Sequence, residues 1–181
     1  MTRPVASPQA LSEGDRRLVA AWAADCAERV LPLFEREAPD DIRPRDAIER
    51  ARAFSRGELD AAGEIRRRFV AGRAAHNVSP AATAAARSAA QAAGVAHMGA
   101  HALGAAAYAA KAAGLASPER PDAGQDEIRW QLGHLRPDAR EALVRLPLLG
   151  TDSAGPLGPG LLASGVLGAH IREIQARLLK G

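Results

Sequence analysis

From Ser88 to Ala110 the chain carries no Asp, Glu, Lys or Arg, and most of these positions are Ala or Gly. Side chains this small bury little area singly, so such a segment is stabilised only where neighbouring backbones approach it closely. Packed helices provide that approach. Aromatic residues make up 3% of the chain and its 47% hydrophobic content is dominated by alanine, which extends the argument to the whole interior. No run alternates apolar and polar residues, and β-branched residues are scarce, so no strand is expected. The expected fold is all-α, a single compact bundle of about six to seven helices around a long Ala-rich central helix. The uncharged stretch is long enough to span a bilayer. Alanine contributes little to insertion, however, and Gln91, His97 and His101 would sit at lipid depth, so no membrane partner is expected.

A chain of 181 residues suits one domain with a real core. We expect it over residues 11–181, with residues 1–10, which hold Pro4 and Pro8 and lack the apolar core of a signal peptide, as a loose arm. The net charge is +3, yet the 24 basic and 21 acidic residues nearly balance. The densest basic run, Arg66-Arg67-Arg68, fans over about 200° of a helix and cannot track phosphates along one stripe. No aromatic platform accompanies it, so no nucleic-acid partner is expected. Cys26 is the sole cysteine, which excludes an internal disulfide and a multi-cysteine metal site and makes the cytoplasm the simplest compartment.

Along the chain, Ser12 and Asp15 resemble a capping box that opens a helix over about 13–37. Val19, Trp22, Ala23, Cys26, Val30 and Phe34 form its apolar stripe, beside which Asp25 and Arg29 are spaced to pair. A helix through Ala47, Ile48, Ala51 and Phe54 follows, then one over about 58–75 with Leu59, Ala62, Ile65 and Phe69 inward. Ser79 as N-cap and Pro80 at the first helical position open the long helix to about Gly114, with Gly94, Gly99 and Gly104 as places where it could break. Two shorter helices over Asp126–Gly133 and Asp138–Leu146 follow, the first with Trp130-Gln131 as a core anchor. A glycine-rich hinge over Gly150–Gly160 then leads to a terminal helix burying Leu167, Ile171, Ile174 and Leu178.

If the long helix is continuous, residues 97, 101, 104, 108 and 111 fall within an arc of roughly 80°. His97, His101, Tyr108 and Lys111 then share one side of it, with Gly104 as a gap. The i,i+4 histidines are spaced for a metal ion, but Met98-Gly99-Ala100 lacks the glutamate of an HExxH site. A third ligand would have to come from Asp25, Cys26, Glu28 or His76, and no metal or cofactor is expected. The histidines are open to two other uses, satisfying hydrogen bonds between helices or exchanging protons with a guest to which Tyr108 donates a hydrogen bond. Cys26, on the apolar face, reads as a small core residue. His76 lies at a helix end, where a cation is favoured, and His134 and His170 read as helix-edge residues.

Three segments resemble a known family: Leu18-Val19-Ala20-Ala21-Trp22-Ala23-Ala24-Asp25-Cys26-Ala27-Glu28-Arg29-Val30, Arg43-Pro44-Arg45-Asp46-Ala47-Ile48, and the run from Ala96 to Lys111 that holds His-x-x-x-His-Ala-Leu-Gly-Ala-Ala-x-Tyr. They are similar to the bacterial putative immunity protein family over most of Leu11 to about Gln131. The resemblance implies a cytoplasmic, all-helical protein that binds and neutralises a toxin partner. Its motif positions here are Trp22, Asp25, Cys26, Arg29, His97, His101, Tyr108 and Lys111. Asn77-Val78-Ser79 departs from the alanine-rich continuation expected after His76.

Two functions follow. In the first, the chain is a binding module for a protein toxin, with charged rim residues steering capture. In the second, the bundle encloses a pocket in which His97, His101, Tyr108 and Asp25 transfer protons on a small organic substrate, in a cyclisation or isomerisation, while Trp22, Cys26, Arg29, His76 and Lys111 hold the ligand. A homodimer is compatible with either.

Overall fold

Ser12 accepts the amide N–H of Asp15 at 3.1 Å and so opens the first helix, α1 (Glu13–Glu35), as its side-chain oxygen satisfies one of the helix's orphan donors. The structure, a computed structural model, describes residues 6–67 and 70–181. Beyond α1 the chain forms α2 (Arg43–Ser55), α3 (Ala61–Arg67), a 3-10 turn at Ala71–Ala75, α4 (Pro80–Gly94), α5 (His101–Ala116), α6 (Ala123–Gly133), α7 (Pro137–Val144), a second 3-10 turn at Leu161–Ala163, and α8 (Gly165–Leu179). The described residues contain eight α-helices and no strand, so the all-α expectation holds.

Most element boundaries follow from capping and periodicity. Val19, Trp22, Ala23, Cys26, Val30 and Phe34 of α1 are buried, as are Ala47, Ile48, Ala51 and Phe54 of α2, and Leu167, Ile171, Ile174 and Leu178 of α8. Two expectations need correcting in the stretch read as one helix over 58–75. It contains α3 and the separate 3-10 turn, and Ala62 is exposed while Leu59 is only half-buried. Arg68, Phe69 and the side chain of Ile65 lie outside the described residues, as do residues 1–5.

The central helix breaks at one of the places its glycines offered: it ends at Gly94 and restarts at His101. The N-terminal segment lies against the intervening turn. Gly99 N–H donates to the Ala10 carbonyl at 2.9 Å and Ala100 N–H to that of Gln9 at 3.0 Å, so two amides that a continuous helix would use internally are taken by another part of the chain. A Cβ on Gly99 would come within 2.5 Å of Leu11 Cδ1 and 3.0 Å of its Cβ, so only glycine admits the segment this closely. Gln9 and Ala10, at the end of the expected loose arm, are therefore held against the bundle, and Gln9 is fully buried. The amide of Gln9 also holds the 150–160 loop. Its Nε2 donates to Asp152 Oδ2 at 2.9 Å and to the Ala154 carbonyl, and its Oε1 accepts from Leu157 N–H at 2.8 Å.

At the centre, α5 packs against α1, α4, α6 and α8. Ala85, Ala86 and Ala89 of α4 and Ala102, Ala105, Ala106, Ala109 and Ala110 of α5 have no exposed surface, which is the close backbone packing that an alanine interior requires. Two buried side chains tie neighbouring helices to α5 through its carbonyls. Ser88 Oγ donates to Ala105 O at 2.7 Å, and Gln131 Nε2 to Ala106 O at 3.0 Å. No helix among the described residues is long and apolar enough to cross a membrane.

Candidate functional site

The break between α4 and α5 positions three of the five histidines around one cavity. His101 is the first residue of α5, His97 lies in the preceding turn, and His76 follows the 3-10 turn at Ala71–Ala75. Asn77 explains the position of His76. It adopts a left-handed conformation with φ 61°, which Asn tolerates better than most residues, and so turns the chain towards Ser79. Ser79 Oγ accepts from Ala82 N–H at 3.2 Å and caps α4, and Ser79 N–H donates to Glu37 Oε2 at 2.8 Å. The departure at Asn77-Val78-Ser79 is thus a turn and a cap.

The cavity has a volume of about 480 Å³ and is lined by His76, His97 and His101, with Arg73 and Gln91 as further polar groups. The size lies within the usual range for small-molecule sites. His101 Nδ1 donates to Gln91 Oε1 at 2.8 Å, which fixes the ring's orientation. The His97 and His101 rings are 6.5 Å apart at 34°. A Cβ on Gly94 would lie 3.0 Å from His101 Cδ2, so that glycine lets the His101 ring lie against the end of α4. Among the described residues, none of the groups lining this cavity is acidic. No group of three or more His, Cys, Asp or Glu among the described residues is arranged to hold a metal ion.

The other expected site residues lie elsewhere. Tyr108 is 2% exposed, within the core, and the helix break removes the stripe that would have put it beside His97. Asp25 does not pair with Arg29. Its Oδ1 accepts from Arg52 Nη1 at 2.7 Å, and Arg52 also donates to Glu28. Arg29 turns to α6, donating from Nε and Nη2 to the two Glu127 carboxylate oxygens at 3.3 and 3.2 Å. Trp22 is buried, and its Nε1–H donates to the Gln131 carbonyl at 2.8 Å. Cys26 is fully buried, and burial pushes its thiol pKa well above the ordinary value, with the Glu127 and Asp25 charges adding to the shift. A thiol held protonated in this way is a core group. Of His97, His101, Tyr108 and Asp25, the two histidines line this cavity and Asp25 lines another cleft.

A second feature, at α1 and α6, was only partly legible. Trp130 is half-buried and Gln131 is the fully buried anchor, the reverse emphasis from the core reading of both. The Arg29 guanidinium lies 4.3 Å from the Trp130 ring centroid on one side of the packing, and the His134 ring stacks on Trp130 at 4.0 Å. His134 Nδ1 also donates to the Trp130 carbonyl at 2.8 Å. With Asp25 and Glu28 these groups line an open cleft of about 430 Å³. The i,i+4 spacing of Trp130 and His134 was the available signal for the ring pair. Nothing local pointed to Arg29.

Lys111 and His170 line a third cavity of about 350 Å³ between α5 and α8. His170 is buried, not at a helix edge, and burial lowers its pKa, with the Glu173 carboxylate opposing the shift. Its depressed value means that the unfolded chain takes up a proton at higher pH than the folded one. Stability from the neutral ring is full above the ordinary imidazole value of about 6.5 and is lost as pH falls from there through the depressed value of the folded chain. His170→Gln is expected to flatten the fall in Tm between about pH 8 and pH 5. An unchanged Tm-against-pH profile would remove His170 as a source of acid sensitivity.

The fold and these surfaces define a class: an alanine-packed helical bundle with a histidine-lined cavity at a helix break and a separate cation–aromatic stack beside acidic residues. Residues 9–138 match the model of the Imm-5 like putative immunity protein family. That match covers well over half of the chain, which belongs to this family. No curated protein and no solved structure matches it.

Proposed function

We propose that this protein is an immunity-type binder that captures a protein toxin and neutralises it without catalysis of its own. The observation that carries this reading is the family match over residues 9–138, which contains both the cavity and the Arg29–Trp130–His134 stack. The stack is the best candidate for the contact surface. Tryptophan and arginine dominate binding energy at protein interfaces when they are held rigidly in place, and Trp130 is in contact with both Arg29 and His134 here. Asp25 and Glu28 beside it, bridged by Arg52, supply rim charges of the kind that steer association. We infer that the encounter takes place in the cytoplasm, a reading with which a single free cysteine is consistent. A proton-transfer reading draws less support, since Tyr108 and Asp25 lie away from the histidines.

The test is co-expression with the products of the genes that flank the gene for this chain, read as growth and as complex formation by the purified proteins. Rescue of growth with a stable complex is expected, and a chain that neither rescues growth nor binds would overturn the reading. Trp130→Ala is expected to weaken the complex by about 30-fold, corresponding to about 2 kcal/mol, with little change in Tm. Undiminished affinity in that variant would move the contact surface away from α6.

A further inference from the structure

The histidine-lined cavity is not needed for the toxin reading, and its chemistry points to a different kind of ligand. We propose that the cavity between the Ala71–Ala75 turn, α4 and the start of α5 is a binding site for a small organic anion, its acid group held by Arg73 and the imidazoles. Arg73 is exposed at the mouth, and no ion pair to its guanidinium is formed among the described residues. This contrasts with Arg29, Arg43, Arg45, Arg50 and Arg52, each of which is paired with a carboxylate. A planar guanidinium presents paired N–H donors that match a carboxylate or phosphate. Imidazoles reach the same space from two segments, at His76 and at His97 and His101; His76 and His97 each carry a ring N–H in the neutral form, whereas His101, whose Nδ1–H goes to Gln91, donates from Nε2 only as the imidazolium.

Among the described residues the site carries one sign. Its lining offers one guanidinium, three imidazoles and one amide, with no carboxylate among the described residues to compete for them. Ala90, Gly72 and Gly94 supply an apolar wall without side chains that would fill the space. The volume of about 480 Å³ exceeds what a bare inorganic ion needs and suits an acid group carrying an organic body. His101 is preset by Gln91, so less ordering is required on binding.

The experiment is a titration of the isolated chain, followed by calorimetry and by NMR of the histidine ring signals, with benzoate, phenyl phosphate, inorganic phosphate and the uncharged benzamide. Benzoate or phenyl phosphate is expected to bind saturably and to shift His97 and His101 signals, the tighter of the two identifying the acid group preferred. Arg73→Gln and His97→Gln are each expected to weaken that binding at least about tenfold, while Tm stays near that of the parent chain because Arg73 is exposed and His97 only half-buried. The proposal is overturned if no probe binds saturably, if benzamide binds as tightly as benzoate, or if both variants bind like the parent. Inorganic phosphate binding as tightly as phenyl phosphate would overturn the organic ligand and leave an ion site only. Because the toxin is absent from this titration, none of these outcomes bears on toxin neutralisation.

Discussion

Trp22→Ala is expected to lower the unfolding free energy by about 3–5 kcal/mol, the range for removing a large aromatic side chain from a core. Trp22 is 3% exposed in a chain with few other large side chains to close around the gap. A second contribution comes from the hydrogen bond of Nε1–H to the Gln131 carbonyl at 2.8 Å. Gln131 lies in the last turn of α6 (Ala123–Gly133), where carbonyls have no partner within their own helix. Trp22 supplies that partner from α1. Trp22→Phe keeps most of the volume and strands the carbonyl, so it is expected to cost about 1–3 kcal/mol. Urea unfolding of both variants separates packing from the hydrogen bond. A Trp22→Ala chain as stable as the parent would mean that the tryptophan is kept for binding and not for the core.

Ala109→Leu should be nearly as damaging, at about 3 kcal/mol, although it adds hydrophobic area. Ala109 has no exposed surface and sits in the middle of α5, which is packed by α1, α4, α6 and α8. Ala109 lines none of the cavities described above, so three more carbons would push the helices apart and loosen the carbonyl ties from Ser88 and Gln131 about one helical turn away. Ala113→Leu, one turn further on at a half-buried position beside a surface groove, is expected to change stability by only about 0.5 kcal/mol. Equal urea midpoints for the two variants would show that the alanine interior is not tightly packed. The contrast is instructive because most cores are weakened chiefly by making side chains smaller.

Several parts of this molecule were legible because the interactions that define them are local. Ser12 and the Ser79-Pro80 pair each act within a few residues of the helix they open, and the apolar stripes of α1, α2 and α8 repeat at the helical period. The misreadings share a different origin. Asp25 and Arg29 are one helical turn apart, and that spacing permits a pair. Arg52 reaches Asp25 from α2 and Glu127 reaches Arg29 from α6, and these longer-range partners combine ion pairing with the Trp130 stack. A surface i,i+4 pair stabilises by only a few tenths of a kcal/mol, so such competition readily displaces it. The candidate site fared in the same way. His97 and His101 do lie close together, yet His76 and Arg73 join them through a turn at Asn77, and Tyr108 does not.

The sequence by itself determined that the chain is helical and alanine-packed, that α1 and α4 start where serine caps stand, and that its family resemblance runs through α1, α2 and the His97–Lys111 stretch. Those properties depend on backbone propensity, side-chain size and spacing along a single helix, all of which are present in the residue order. Only the tertiary structure decided where the long alanine-rich stretch is interrupted, which residues share the cavity, and which charges pair. The break at Gly94 occurs because Gln9 and Ala10, some ninety residues earlier, take the N–H groups of Gly99 and Ala100. A hydrogen bond exchanged between distant segments leaves no periodic signature in either one, so its outcome follows from the packing of the whole bundle.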